Sequence, residues 1–241
     1  MTEFKMPTEV VELPSKGLLY PESNPLSSGK VEMKYMTAKE EDILTNQSYI
    51  KNGTVLDKLL QSLIVSKIDY NDLIVGDKNA ILIASRVLGY GSDYKITYGD
   101  KSYTIDLSKV ENKPFDETSI TKGKNEFKYT LPASSVDITF KLLTHGDELK
   151  VTKELEGYKK INKDLVPELT TRLKFMITSV NGQTDPKVIR EFVDDHLLAR
   201  DSRALREHIK KIQPDVDLSY ELEDGLTIDI PINLSFFWPD A

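Results

Sequence analysis

His145, His196 and His208 are suited by type to hold a metal or move a proton, and their spacing serves neither purpose. None forms an His-Glu-x-x-His pair or stands beside a serine in an elbow motif. His196 and His208 fall on separate helical segments, so surface or helix-end roles are the default. The chain has no cysteine, which excludes disulfides and thiolate metal sites. No structural zinc, no other metal and no cofactor are expected. Carboxylates cluster at Glu40-Glu41-Asp42, at Asp194-Asp195 and at Glu221, Glu223 and Asp224. Paired acids can carry out glycoside hydrolysis. With 39 acids in 241 residues such pairs also arise by chance, as solvated helix faces. No Gly-x-x-x-x-Gly-Lys is present, and Gly89-Tyr-Gly91 follows a helical pattern rather than a strand, so phosphate binding is not expected there.

Arg190, Arg200, Arg203, Arg206, Lys210 and Lys211 form a basic segment in a chain of formal charge −7. Three readings stay open for it: internal ion pairs, an acidic protein partner, or a phosphate backbone. The net charge argues against the whole surface binding nucleic acid. The end Phe236-Phe-Trp238-Pro holds the only tryptophan, and chain ends are normally polar. Phe236, Phe237 and Trp238 must therefore be buried in the chain's own core or anchor a partner.

The elements that must position these groups read as follows. Residues 1–30 carry Pro7, Pro14, Pro21 and Pro25, and read as an extended arm. Within it Leu13, Pro14 and Tyr20 belong to an apolar run that docks on its own domain or on a partner. Helical patterns cover Ala38 to Asn46, Thr54 to Val65 and Asp77 to Leu88, followed by a hairpin from Tyr94 to Leu107 with Gly99-Asp100 at its turn. Ser108 to Asn125 reads as a linker. Strands follow at Glu126 to Leu131 and Val136 to Leu143, then helices at Asp147 to Ile161 and Asp164 to Val180. Asp185-Pro186 opens another helix, and Asp201 or Ser202 caps one that runs through Ile212. A hairpin turning at Asp224-Gly225 precedes the aromatic tail.

Two stretches repeat. Val31-Glu-Met-Lys-Tyr-Met-Thr37-Ala-Lys-Glu40 and Ile138-Thr-Phe-Lys-Leu-Leu-Thr144-His-Gly-Asp147 are each a strand, a threonine cap and an acid three residues on, and the two caps lie 107 residues apart. Each is followed by helices and then a hairpin. The expected fold is α+β: two related strand–helices–hairpin halves, 31–125 and 126–241, with the extended arm at 1–30. Chance likeness of two strand-to-helix junctions is the alternative. If the halves share ancestry, their first strands should lie side by side. The N-terminus has no apolar stretch of signal-peptide type, and no window approaches the roughly 20 apolar residues of a membrane span.

Several ordered motifs resemble one family. They are Leu13-Pro-Ser-Lys-Gly-Leu-Leu-Tyr-Pro21, Met36-Thr-Ala-Lys-Glu-Glu-Asp-Ile-Leu-Thr45, Val75-Gly-Asp-Lys-Asn-Ala-Ile-Leu-Ile-Ala-Ser-Arg86, Leu88-Gly-Tyr-Gly-Ser-Asp-Tyr94, Ala199-Arg-Asp-Ser-Arg-Ala-Leu-Arg206 and Ser235-Phe-Phe-Trp-Pro239. Together they resemble the T4-type bacteriophage baseplate hub subunit and hub assembly proteins. Members can carry Cys-x-x-Cys pairs at ribbon-like hairpins; this chain has none, so its hairpins must rest on strand pairing and packing. The resemblance implies a non-enzymatic protein-binding component or chaperone in assembly of a phage tail baseplate hub. Its partners would be hub or tape-measure proteins, in the host cytoplasm during assembly or in the tail baseplate of the virion. Neither membrane nor nucleic acid is an expected partner, and self-association is left open. The expected contact residues are Leu13, Pro14, Tyr20, Arg200, Arg203, Arg206, Phe236, Phe237 and Trp238. Two other classes compete: a nucleic-acid-binding regulator using Arg190 to Lys211, and a metal-independent hydrolase using the clustered carboxylates.

Overall fold

The computed structural model describes residues 6–98, 100–162, 166–222, 225 and 227–238. Gly99, Asp164 and Asp224, used above to place turns and a helix, lie outside the described residues. The fold is mixed α+β, with small antiparallel sheets set among helices.

Alternating residues make β1 (Thr8–Glu12) and β2 (Lys30–Lys34), an antiparallel pair that sets Thr8 opposite Lys34 and Glu12 opposite Lys30. Val31 and Met33 point inward and are fully buried, while Lys30 and Glu32 stay exposed. The arm therefore begins as a strand. Its remainder folds back through a tight turn at Pro25–Ser28 and inserts Leu13, Leu19, Tyr20 and Leu26 into the core. Gly17 makes the return possible: its φ is +76°, and a Cβ there would collide with the Ser27 carbonyl.

Thr37 starts α1 (Ala38–Leu44), donating its amide and hydroxyl to Glu40 at 3.0 and 2.6 Å. Asn46 caps the short α2 (Gln47–Lys51), and α3 (Val55–Leu63) buries Val55, Leu59, Leu60 and Leu63. The central helix α4 (Val75–Tyr90) buries Ala80 to Ile83 together with Asp77, Ser85 and Arg86. It ends at Gly91, with φ +83°, and leads into the hairpin β3 (Asp93–Tyr98) and β4 (Lys101–Asp106). The second half opens with β5 (Phe127–Thr130) and β6 (Asp137–Phe140), then α5 (His145–Ile161), α6 (Glu168–Met176) and β7 (Ile177–Val180). The sheet order is β5-β6-β7. Asp185 caps α7 (Pro186–Glu191), which runs into a wide π turn at Phe192–His196. Then come α8 (Ala199–Ile212), β8 (Ser219–Glu221), β9 (Thr227–Asp229) and a final turn at Leu234–Phe237.

Two expectations need correction. The single helix read up to Val180 ends at Met176. Ile177-Thr-Ser-Val180 is rich in β-branched residues, and as a strand it pairs with β6 while Thr139 bonds the hydroxyls of Thr178 and Ser179 at 2.8 and 2.7 Å. The two halves' first strands do not pair with each other: β2 pairs with β1, and β6 pairs with β5 and β7. The apolar run of the arm docks on its own domain, where Asp77 accepts from the Ser15 amide, the Ser15 hydroxyl and the Tyr20 hydroxyl at 2.9, 2.7 and 2.6 Å.

The repeat itself runs deeper than its cap. Lys34 reaches Glu40 at 2.8 Å, and Lys141 reaches Asp147 at 2.6 Å, each from a position three residues before the capping threonine. One hydrophobic cluster takes residues from the arm and from both halves. Main-chain bonds cross between the halves, from Val75 to Leu143 at 3.2 Å and from His145 to Leu73 at 2.7 Å. No described helix is long and apolar enough to cross a membrane.

Candidate functional site

The helix α8 is amphipathic by spacing. Leu205, Ile209 and Ile212 are buried on one side, and Arg203, Arg206, Lys210 and Lys211 are exposed on the other. Asp201 in its first turn is fully buried and accepts from the amides of Ala133 and Ser134 at 2.7 and 3.0 Å, which fixes the helix to the β5–β6 turn.

The basic segment divides by what each cation meets. Arg190 forms a two-pronged pair with Glu154 at 2.8 and 2.6 Å, tying α7 to α5. Arg203 pairs with Glu207 one turn on, at 2.9 Å. Arg206 donates to the Ser202 carbonyl at 3.3 Å. Arg200, Arg206, Lys210 and Lys211 have no ion pair among the described residues. Arg206 and Lys210 border a cavity of about 290 Å³ where α8 meets the start of α4 and the end of α6. Ile74, Leu142, Leu143, Met176 and Ile209 supply its apolar lining, and Arg172 enters it already paired with Glu148. The arrangement can take a short segment that offers carboxylates to Arg206 and Lys210 and an apolar side chain to the lining.

The other expected contact residues are placed differently. Leu13 and Pro14 are buried, and Tyr20 is 5% exposed, so these three act within the fold. Phe236 and Phe237 are fully buried, with ring centroids 5.5 Å apart, and Phe236 packs edge-on against Tyr94 at 4.9 Å. Arg86, also fully buried, donates to the carbonyls of Phe236 and Gly91 at 2.9 Å each and of Asp93 at 3.3 Å. Burial lowers the pKa of this guanidinium, which has no carboxylate bonded to it among the described residues. Trp238 is half-buried and lines a cleft between the two hairpins, beside Lys95, Ile96, Thr227 and Ile228. Of the nine residues, Arg200, Arg203, Arg206 and in part Trp238 face outward.

The buried carboxylates are committed to named donors. Glu40 accepts from Lys34, Thr37 and Ser62; burial alone would raise its pKa, but these donors hold it at about 2. Burial outweighs the hydrogen bonds at Asp77 and pushes it up to about 6. Asp147 is held below the usual carboxylate range, since Lys141 and Thr144 overcome its burial. Asp57 accepts from Lys78 at 2.6 Å and Tyr70 at 3.0 Å, and Lys78 lies 3.2 Å from His145 Nδ1. Burial and the Lys78 charge lower the pKa of His145, which leaves Nδ1 as an acceptor for Lys78. His208 stacks on Tyr129 at 4.5 Å.

Sequence reasoning named the cations and missed the cavity beside them. The lining comes from four separate elements, and no local period announces that they meet. The match of Lys34 with Lys141 was a usable signal, because both stand at one offset from the capping threonine. Comparison with protein-family models, with curated proteins and with solved structures finds no match.

Proposed function

We propose that this chain is a non-enzymatic protein-binding component or chaperone in assembly of a phage tail baseplate hub. The α8 face is its contact surface for an acidic, partly apolar segment of a hub or tape-measure protein. The observation that carries the binding reading is the open side of α8, where Arg206 and Lys210, without ion pairs among the described residues, flank an apolar cavity of about 290 Å³. Exposed charges of one sign steer a partner and select its register, while the apolar lining supplies the burial that holds it. The phage context rests on the ordered motifs and on nothing else. The buried carboxylates support this reading over a hydrolase, since their oxygens accept structural hydrogen bonds.

The test is co-expression with candidate hub and tape-measure proteins, followed by pull-down. Arg200→Glu, Arg206→Glu and Lys210→Glu together should weaken retention at least ~10-fold, with thermal unfolding unchanged because all three side chains are exposed. Retention unaffected by the triple reversal would remove α8 from the proposed surface. DNA binding with a steep salt slope, lost in the same variant, would favour the nucleic-acid reading instead.

A further inference from the structure

The strand β1 is paired on one side only. Leu13 donates to Gly29 at 2.8 Å and Tyr35 donates to Pro7 at 3.3 Å, which sets the phase of the ladder. In that phase Glu9 and Val11 exchange bonds with β2, so Thr8, Val10 and Glu12 turn their N–H and C=O groups outward. The far edge of β2 is occupied: Glu32 accepts from Val65 at 2.9 Å and donates to the Ser66 hydroxyl at 2.8 Å. Among the described residues nothing bonds the outward groups of Thr8, Val10 or Glu12.

A groove of about 470 Å³ runs beside this open edge. Ala80, Ile83, Ala84 and Val87 of α4 line it. Its opposite wall is the extended stretch at Glu111 and Asn112, bonded on its other side through Asp217 to Glu111 at 2.7 Å and Lys113 to Asp215 at 2.8 Å. Val10 leaves 56% of its surface in solvent. The charged residues that line the groove are Glu9, Glu12 and Glu111, and of these Glu12 alone has an ion pair, with Lys30 at 3.2 Å.

Open edges are a template for another strand, and soluble proteins usually blunt them. Here the edge is combined with an apolar bed and an acidic rim. We propose that this groove receives an extended, lysine- or arginine-bearing segment of a partner protein. The segment adds to β1 as a third strand, lays small apolar side chains on α4 beside Val11, and sets basic ones on the other face, where Glu12 stands with Thr8 and Val10. A second copy of β1 fits less well, because it would bring two more glutamates to a seam that already holds three. The surface is distinct from the α8 face, carries the opposite charge, and stands whether or not the α8 reading holds.

The experiment uses the full chain and three fluorescent, end-blocked heptapeptides: alternating Lys and Val, alternating Glu and Val, and the Lys/Val peptide N-methylated at every residue. The Lys/Val peptide should bind at least ~10-fold more tightly than either control and protect the amides of Thr8, Val10 and Glu12 from exchange. Val10→Pro should weaken it at least ~10-fold without lowering the melting temperature, because the Val10 N–H takes no part in the ladder with β2. Glu12→Lys should reverse the preference toward the Glu/Val peptide. Equal binding of all three peptides overturns the proposal, and so does unchanged binding to the Val10→Pro chain. A dimer in sedimentation that Val10→Pro dissolves and the Lys/Val peptide cannot displace assigns the edge to a second copy and also overturns it. If Val10→Pro fails to fold, the N-methylated peptide still decides, since it removes the same bonds from the other side.

Discussion

Asp77 and Glu40 are both buried carboxylates, yet their environments give stability opposite dependences on pH. Burial raises Asp77 from 3.8 to about 6 in the fold. Between those values the folded state binds the extra proton, so this residue's contribution falls as pH rises through the window and is flat above it. Glu40 is held at about 2 against an ordinary 4.5, because Lys34, Thr37 and Ser62 favour its charged form over the cost of burial. Its contribution is fully present above 4.5 and is lost as pH falls toward 2. Urea unfolding at a series of pH values should separate the two. Relative to Asp77→Asn, the natural chain should lose about 2.5 kcal/mol between pH 4 and pH 7. Relative to Glu40→Gln, it should lose a similar amount, about 3 kcal/mol, as pH falls from 4.5 to 2. Parallel curves for a variant and the natural chain would contradict the assigned environment.

At the scale of elements, the start of α4 is the tightest junction. A Cβ on Gly76 would overlap the Pro214 carbonyl just beyond α8. Gly76→Ala should therefore cost about 1–3 kcal/mol in thermal or urea unfolding by forcing α4 and the chain after α8 apart. Gly157→Ala, on the exposed side of α5 with open space around it, should instead gain up to ~1 kcal/mol. Elements announced by local chemistry were legible in the sequence: the threonine caps of α1 and α5 and the Asp185-Pro186 start of α7; the cap read at Asp201 or Ser202 was misplaced, because α8 begins at Ala199 and Asp201 instead turns to the amides of Ala133 and Ser134. What depended on distant partners was not. Leu173, Met176, Ile177 and Val180 fit a helical stripe, and only pairing with β6 makes the last four residues a strand. The prolines argued against an α-helix in the arm, and none lies among its described residues 6–30, but nothing local reveals that Asp77 holds Ser15 and Tyr20. The α8 cations could be read, while their cavity could not, because Ile74, Leu142 and Met176 reach it from three other places.

Across the whole molecule the core is one cluster that both chain ends help to close. Phe236 and Phe237 are fully buried, and Phe236 supplies a carbonyl to buried Arg86. Truncation after Asn233 removes both rings and leaves that guanidinium short of an acceptor. It should cost about 4–7 kcal/mol in chemical unfolding, enough to threaten the fold of a domain of ordinary stability. Trp238→Ala alone should cost less, about 1–2 kcal/mol, since the tryptophan is only half-buried. A truncated chain that melts with the natural one would show that the aromatic end is dispensable.

The Arg86–Phe236 bond also has a consequence in time. Its partners are 150 residues apart in the chain. At usual synthesis rates the ribosome delivers Phe236 roughly 8–30 s after Arg86. Throughout that interval α4 carries a cation whose final acceptor has not yet been made, so its surroundings must stay open to water. Closure of the core is thereby tied to the last stretch of translation, and a nascent chain stalled before Phe236 should remain sensitive to protease while the released protein resists it.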